Sequence, residues 1–152
     1  MAESNSRAAA WAQAIRLLSQ REHSRHELAG KLCRQHALDE SVLDDLLDEL
    51  EQSGYLDDGR YAEMLVRSSV GRGHGPMKIT YALRDKGIRS ELATAVLAKA
   101  DPDWYALAAW QREKKFGEDL PRDPKEIARQ QRFLAGRGFF IATINAVLHE
   151  KC

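Results

Sequence analysis

The sequence predicts an all-α chain of three tandem three-helix repeats, each helix-turn-helix-like, arranged as an elongated curved body. Three observations carry the prediction. Ala and Leu together number 39 of 152 residues, whereas Val, Ile and Thr number 14, so the chain favours side chains that lose little freedom in a helix over those that suit a pleated sheet. The apolar residues recur at helical spacing throughout. Finally, the apolar pattern repeats itself at a fixed offset of 51 residues.

The elements follow in order, with start and stop signals that have physical causes. Trp11, Ile15 and Leu18, at i, i+4, i+7, give a first helix over 7–20. Ser24 and Glu27 form a capping box, the hydroxyl taking an orphan amide and the carboxylate reaching back to the cap, and open a helix over 25–36 with Leu28 and Leu32 on one face. Val42, Leu43, Leu46, Leu47 and Leu50 define a helix over 40–53, closed by Gly54. Asp57 or Asp58 caps a helix over 58–70, placing negative charge at its positive end, with Tyr61, Met64 and Leu65 on its buried side. Gly71, Gly73 and Gly75 read as a supple turn, with backbone contact to a phosphate as the alternative. Gly75-Pro76 then opens a helix over 76–86 that Gly87 ends, because a left-handed residue closes a last turn cheaply when it lacks a side chain. Helices over 90–99, 102–116, 124–136 and 141–150 complete the set. Asp101-Pro102 opens the helix at 102, Asp123-Pro124-Lys125-Glu126 opens the helix at 124, and Gly138 ends the latter.

The offset aligns Leu28 with Ile79, Leu32 with Leu83 and then Leu134, Gly87 with Gly138, and Ile88 with Phe139. The predicted units are 1–54, 55–100 and 101–152. The first departs from the pattern, since His36 stands where Gly87 and Gly138 stand. A unit of three short helices builds little core alone, so neighbours are expected to pack in a row. Each unit also looks like a DNA-reading helix-turn-helix domain. The third helix of the first unit, however, carries Asp44, Asp45, Asp48, Glu49 and Glu51, and such a helix cannot sit between phosphates, which argues against operator reading by all three.

The charge sums to zero, 23 basic against 23 acidic residues, but it divides unevenly along the chain: −6 over 1–59, +5 over 60–100 and +1 over 101–152. The basic middle suggests an acidic or polyanionic partner. No apolar run approaches the roughly 20 residues needed to span a bilayer, and the amino-terminal residues contain no apolar signal core, so a cytoplasmic protein is expected. Cys33 and Cys152 make no disulfide framework; Cys33 reads as a small core-facing residue. Cys33 with His36 and His149 with Cys152 are too far apart to suggest zinc. No nucleophile elbow, metalloprotease pair or kinase signature is present, and the glycine-rich turn lacks the Lys-Ser/Thr ending of a nucleotide-hydrolysing loop. A non-enzyme with no metal and no cofactor is expected.

The most distinctive stretch is Gly54–Ile88. Gly54-Tyr55-Leu56-Asp57-Asp58, then Arg60-Tyr61-Ala62, Gly73-x-Gly75-Pro76, Ile79, Leu83 and Lys86-Gly87-Ile88 resemble the bacterial RecX family, regulatory proteins that bind the RecA recombinase. The likeness runs from Arg21-x-x-Ser24-x-x-Glu27-Leu28-x-x-Lys31-Leu32 to Gln131-Arg132-Phe133-Leu134-x-x-Arg137-Gly138-Phe139. The resemblance implies a non-enzymatic inhibitor that binds the RecA filament on single-stranded DNA and suppresses its ATPase, strand exchange and coprotease activities. A stand-alone nucleic-acid-binding repeat protein is the alternative. A monomer is expected, since no heptad seam is long enough for a coiled coil.

The expected partner-binding residues are Arg60, Arg67, Arg72, Lys78, Arg84 and Lys86, all of the basic middle unit. Arg60 and Arg67, seven apart, share a helical face and serve either a partner or surface ion pairs. The family often carries a second basic residue two positions after Lys78; Thr80 stands there, which implies weaker direct contact with DNA. Trp11, Trp104, Tyr105, Trp110, Phe116, Phe133, Phe139 and Phe140 fall at helical spacing and read as core, while Tyr81, between Lys78 and Arg84, is the candidate for stacking on a base.

Overall fold

The computed structural model describes residues 2–149. These form nine helices and no strand: α1 (Ala2–Gln20), α2 (Arg25–Gln35), α3 (Glu40–Gln52), α4 (Asp58–Gly71), α5 (Pro76–Asp85), α6 (Ser90–Ala100), α7 (Trp104–Phe116), α8 (Pro124–Gly136) and α9 (Ile141–Leu148). Eight of them start and stop within two residues of the spans expected from sequence. The exception, α1, begins five residues early, because neither glycine nor proline interrupts the preceding stretch.

The turns show why the ends were legible. Gly54, Gly73, Gly87 and Gly138 all have positive φ, between 79° and 95°. After each, the next amide reaches back five residues to a carbonyl: Tyr55 to Leu50, His74 to Ser69, Ile88 to Leu83, and Phe139 to Leu134. These are Schellman stops. In the last two, the residue after the glycine is buried with the side chain of the residue whose carbonyl accepts, Ile88 with Leu83 and Phe139 with Leu134.

The caps differ from expectation in instructive ways. Ser24 Oγ accepts the Glu27 amide at 3.1 Å, but the Glu27 carboxylate turns to Arg21 at 2.5 Å instead of closing the box. Asp123 makes no side-chain cap; Glu126 is held by Arg129 and Gln130. Between the two aspartates at α4, Asp57 is the cap, accepting the Arg60 amide at 3.1 Å. α7 starts at Trp104 and not at Pro102, since Asp103 Oδ1 takes the Ala106 amide at 3.0 Å while Asp101 adopts a left-handed conformation to end α6.

Three separate apolar clusters hold the helices in threes. Leu28, Leu32, Leu46, Leu47 and Leu50 centre the first. Tyr61, Val66, Ile79, Leu83 and Ile88 centre the second, and Ala108, Leu134, Phe139 and Ile144 the third. The closely packed helix pairs all lie within a triplet, α1–α3, α4–α6 or α7–α9. The accessible surface is 9544 Å², against about 7,800 Å² for a compact monomer of this mass, as expected of a row and not of a ball.

Several residues expected in the core are outside it. Cys33 is exposed, as are about half of Tyr105, Trp110 and Phe140. Cys33 lies on α2, Tyr105 and Trp110 on α7, and Phe140 at the N-cap of α9. The buried stripes of these helices are filled by other residues, such as Leu28 and Leu32, Ala108, and Ile144 and Val147, and the next triplet covers nothing more.

The triplets are joined by a repeated device. The N-terminus of the middle helix in one triplet seats on the glycine turn that ends the middle helix of the next. In the first joint, a methyl on Gly87 would lie 2.5 Å from His26 Cβ, and Asp58 accepts the Arg25 amide at 2.8 Å. In the second, the Gly75 amide donates to the Arg137 carbonyl at 2.7 Å and the Met77 amide to the Gly138 carbonyl at 2.9 Å. Orphan amides of α5 and orphan carbonyls of α8 thus satisfy each other. Trp104 packs against both the second and third clusters. α2 ends differently: His36 stands at its C-cap in extended backbone, and among the described residues no middle helix seats on it. The second joint corrects the reading of the Gly71–Gly75 turn, which is a backbone-on-backbone joint; the Gly75 and Met77 amides are already occupied and cannot cradle a phosphate.

Candidate functional site

The first joint is held by charge. Glu27, nearly buried, receives Arg21 at 2.5 Å, Lys31 at 3.9 Å and, from across the joint, Lys86 at 3.9 Å. Burial alone would push its carboxyl up; the Arg21 hydrogen bond and the surrounding cations outweigh that and hold it below the usual carboxylate range. Arg60 also reaches back, with Nε 2.9 Å from Glu22 and a second nitrogen 2.8 Å from the Gly54 carbonyl. Its guanidinium is further stabilised in the charged form, chiefly by the Glu22 hydrogen bond.

His23 lies buried beneath this network. Its Nδ1 meets the Arg21 carbonyl at 3.1 Å and its Nε2 meets Lys31 Nζ at 2.9 Å, which requires the neutral ring with the proton on Nδ1. Burial, assisted by the charges of Arg21 and Lys31, lowers its pKa against the opposing pull of the Arg21 carbonyl and Glu27. Unfolded chains therefore bind the proton more readily than folded ones. The stability His23 confers is full above the ordinary histidine range, near pH 6.5, and is lost as pH falls below it. The urea midpoint is expected to drop on acidification from pH 7 to pH 5, with a slope of at most about 1.4 kcal/mol per pH unit from this group. In a His23→Asn variant the slope should be shallower, though not flat, because burial also lowers the pKa of His74. An unaltered slope would show that His23 does not carry it.

The six expected binding residues separate into two kinds. Arg60 and Lys86 are engaged in the first joint. Arg67, Arg72, Lys78 and Arg84 are exposed and, among the described residues, make no ion pair. Arg67 borders a groove of about 220 Å³ between α4 and α6, with Val66, Val96 and Lys99. Arg84 borders another of about 160 Å³ between α5 and α6. Arg60 lines neither groove, so Arg60 and Arg67 are not brought to a common pocket. Tyr81 is 70% exposed on α5, between Lys78 and Arg84 in sequence.

Arg72 has company that sequence reasoning missed. It lines a cavity of about 230 Å³ at the second joint together with Gln111, Lys114, Lys115, Phe133 and Arg137. The sequence signal was the Lys114-Lys115 doublet, hidden by a net charge of only +1 over 101–152. The acids of α3 are partly neutralised within their own triplet, where Arg25 reaches Asp44 at 3.8 Å, Asp48 at 2.7 Å, and Glu51. Among the described residues no group of three or more histidine, cysteine or carboxylate side chains is placed to hold a metal; Cys152 lies outside them. No helix among them is long and apolar enough to cross a membrane.

Comparison with known proteins matches this architecture domain by domain. The family description "RecX, first three-helix domain" fits residues 10–50, the second 57–97 and the third 101–148. Regulatory protein RecX of Halorhodospira halophila is 44% identical over 133 residues, covering 88% of this chain and 82% of that one. Regulatory protein RecX of Chromohalobacter salexigens is 46% identical over 128 residues, covering 83% and 82%. The fold is shared with the crystal structure of RecX from Lactobacillus salivarius, at TM-score 0.82 and 21% identity over 95% of each chain. With all three domains matched in order, and such identity over most of its length, the chain belongs to the RecX family of regulatory proteins.

Proposed function

We propose that this chain is a non-enzymatic modulator of RecA that binds the RecA filament on single-stranded DNA and suppresses its ATPase, strand-exchange and coprotease activities. The observation that carries the reading is its membership of a regulatory family across all three domains. The chain acts as a cytoplasmic monomer whose units, taken as 1–54, 55–100 and 101–152, lie along the filament. A row of triplets suits that task, because several weak contacts on one rigid body add through effective concentration. The middle unit supplies the contact through Arg60, Arg67, Arg72, Lys78, Arg84 and Lys86. Among the described residues Arg67, Arg72, Lys78 and Arg84 have no carboxylate partner to surrender, so pairing them with an acidic surface breaks no ion pair described in the free protein.

The test is RecA ATPase on single-stranded DNA with increasing amounts of this protein. Turnover is expected to fall at sub-stoichiometric ratios, and unchanged turnover at excess would reject the reading. Arg67→Glu/Arg84→Glu is the cleaner site variant, since Arg60→Glu would also break the Glu22 bridge. The double variant is expected to need roughly tenfold more protein for half-inhibition, the equivalent of about 1.4 kcal/mol. Full potency with retained helicity would remove these two residues from the site.

A further inference from the structure

The cavity at the second joint is a built cationic site. α4 ends in Arg72, α7 ends in Lys114 and Lys115, and α8 ends in Arg137, so three helix C-termini converge on one groove. Gln111, itself buried, donates to the Arg72 carbonyl at 3.1 Å and the Gly73 carbonyl at 3.0 Å, which fixes the turn against α7. Phe133 forms the floor. Lys115 Nζ stands 5.8 Å and Arg137 Cζ 5.2 Å from its ring centroid, so the two charges are held over one aromatic ring.

No carboxylate lines this cavity, and among the described residues none of the four cations makes an ion pair. Elsewhere in the chain Arg7, Arg21, Arg25, Arg60 and Arg129 have carboxylates within reach. Four cations without a carboxylate in one groove repel one another, the negative ends of the three helices offset this only in part, and an anion relieves the rest. The field is also felt by its neighbour: the pKa of His74 is lowered, by burial first and then by the charges of Lys78, Arg72 and Arg137.

Beside the groove, one turn back on α7, lies Trp110. Its ring is half exposed and Lys114 Nζ stands 4.8 Å from its centroid. An acidic protein surface would use the cations and leave this ring idle. A single nucleic-acid strand uses both, since every base has a face to stack and every linkage a phosphate. Duplex would hide its bases.

We propose that the groove between the second and third triplets binds the phosphate backbone of a single-stranded nucleic acid through Arg72, Lys114, Lys115 and Arg137, with a base stacked on Trp110. This site goes beyond the RecA reading, because it requires no filament and is measured without one.

The experiment is fluorescence anisotropy of a labelled oligodeoxythymidine titrated with the intact chain. Four phosphates neutralised on a single strand give a slope of log affinity against log salt of about −2.8, so affinity falls roughly 50-fold between about 50 and 200 mM salt. Lys114→Glu/Lys115→Glu is expected to weaken binding at low salt by at least about tenfold, and its neutral counterpart Lys114→Gln/Lys115→Gln to flatten the slope by about 1.4. The neutral pair also guards against unfolding by the reversed pair. Lys125→Glu/Arg132→Glu makes the same change in net charge outside the groove and should leave affinity within about twofold, as befits exposed charges beyond contact. Trp110→Ala should weaken binding roughly fivefold or more with the slope unchanged. No binding at low salt, a flat salt response, or equal losses in the groove and control variants would each overturn the proposal. So would loss of RecA inhibition in the Lys114/Lys115 variants with oligonucleotide binding intact, which would make the groove a protein-docking surface.

Discussion

Replacing Gly138 by alanine is expected to cost about 3–5 kcal/mol, several times more than most single substitutions. Two independent effects add. The residue sits at φ 95°, where a side chain meets the carbonyl and costs roughly 1–2 kcal/mol. The new methyl would also lie 2.5 Å from Lys78 Cβ and 2.6 Å from the Lys78 nitrogen. The second atom is backbone, in the first turn of a helix, and cannot swing aside. The joint must open, which frees the Gly75 and Met77 amides from the Arg137 and Gly138 carbonyls, at about 1–3 kcal/mol for each buried group left unpaired. Gly54 provides the control. Its φ is 82° but a methyl there meets nothing within 4 Å, so Gly54→Ala should show the conformational cost alone, about 1–2 kcal/mol. Urea unfolding followed by circular dichroism measures both. If Gly138→Ala is no worse than Gly54→Ala, the joint is not a tight seat. Because the cationic groove straddles the same joint, Gly138→Ala should also weaken oligonucleotide binding, whereas Gly54→Ala should not.

This contrast marks the boundary of what the sequence discloses. A Schellman glycine or a proline at the first helical position acts on residues within one turn of itself, so Gly54, Gly87, Gly138 and Pro76 announced helix ends correctly. What else a glycine does depends on atoms far along the chain. Gly54 and Gly138 look alike in sequence; Lys78, 60 residues away, makes them different. The Gly71–Gly75 run was read as supple for the same reason, since Gln111 and Arg137, which immobilise it, belong to another triplet. Charge behaves likewise. Sequence leaves Arg60 open between a partner and an ion pair because Glu22, which takes it, is 38 positions away, and the cavity that gathers Lys114, Lys115 and Arg137 around Arg72 is invisible to charge sums taken unit by unit. Within a triplet, periodicity placed the helices though not every core residue; between triplets it is silent, and the candidate site lies between triplets.

Arg112 shows the same dependence in the core. It is 2% exposed, yet among the described residues no carboxylate pairs with it. One terminal nitrogen donates to the Gly117 and Glu118 carbonyls at 2.9 and 3.0 Å, the other to the Asp119 carbonyl at 3.2 Å and to Gln130 Oε1 at 3.3 Å. Gln130 in turn donates to Glu126 at 3.0 Å, so this carboxylate is linked to the guanidinium through an amide. The side chain therefore pins the segment leaving α7 to the face of α8, and the planar fork is needed because its acceptors diverge. Arg112→Ala is expected to lose about 3–5 kcal/mol, from four acceptors left without a charged donor and a cavity in place of a large side chain. Arg112→Lys should recover less than half of that, since one ammonium cannot serve acceptors arranged for two nitrogens. The loss should also be local. With separate apolar clusters, the third triplet should open ahead of the others, so amides of α7–α9 should lose hydrogen-exchange protection while those of α4–α6 keep most of theirs. Full stability in Arg112→Lys would mean that charge alone, and not the fork, holds the loop.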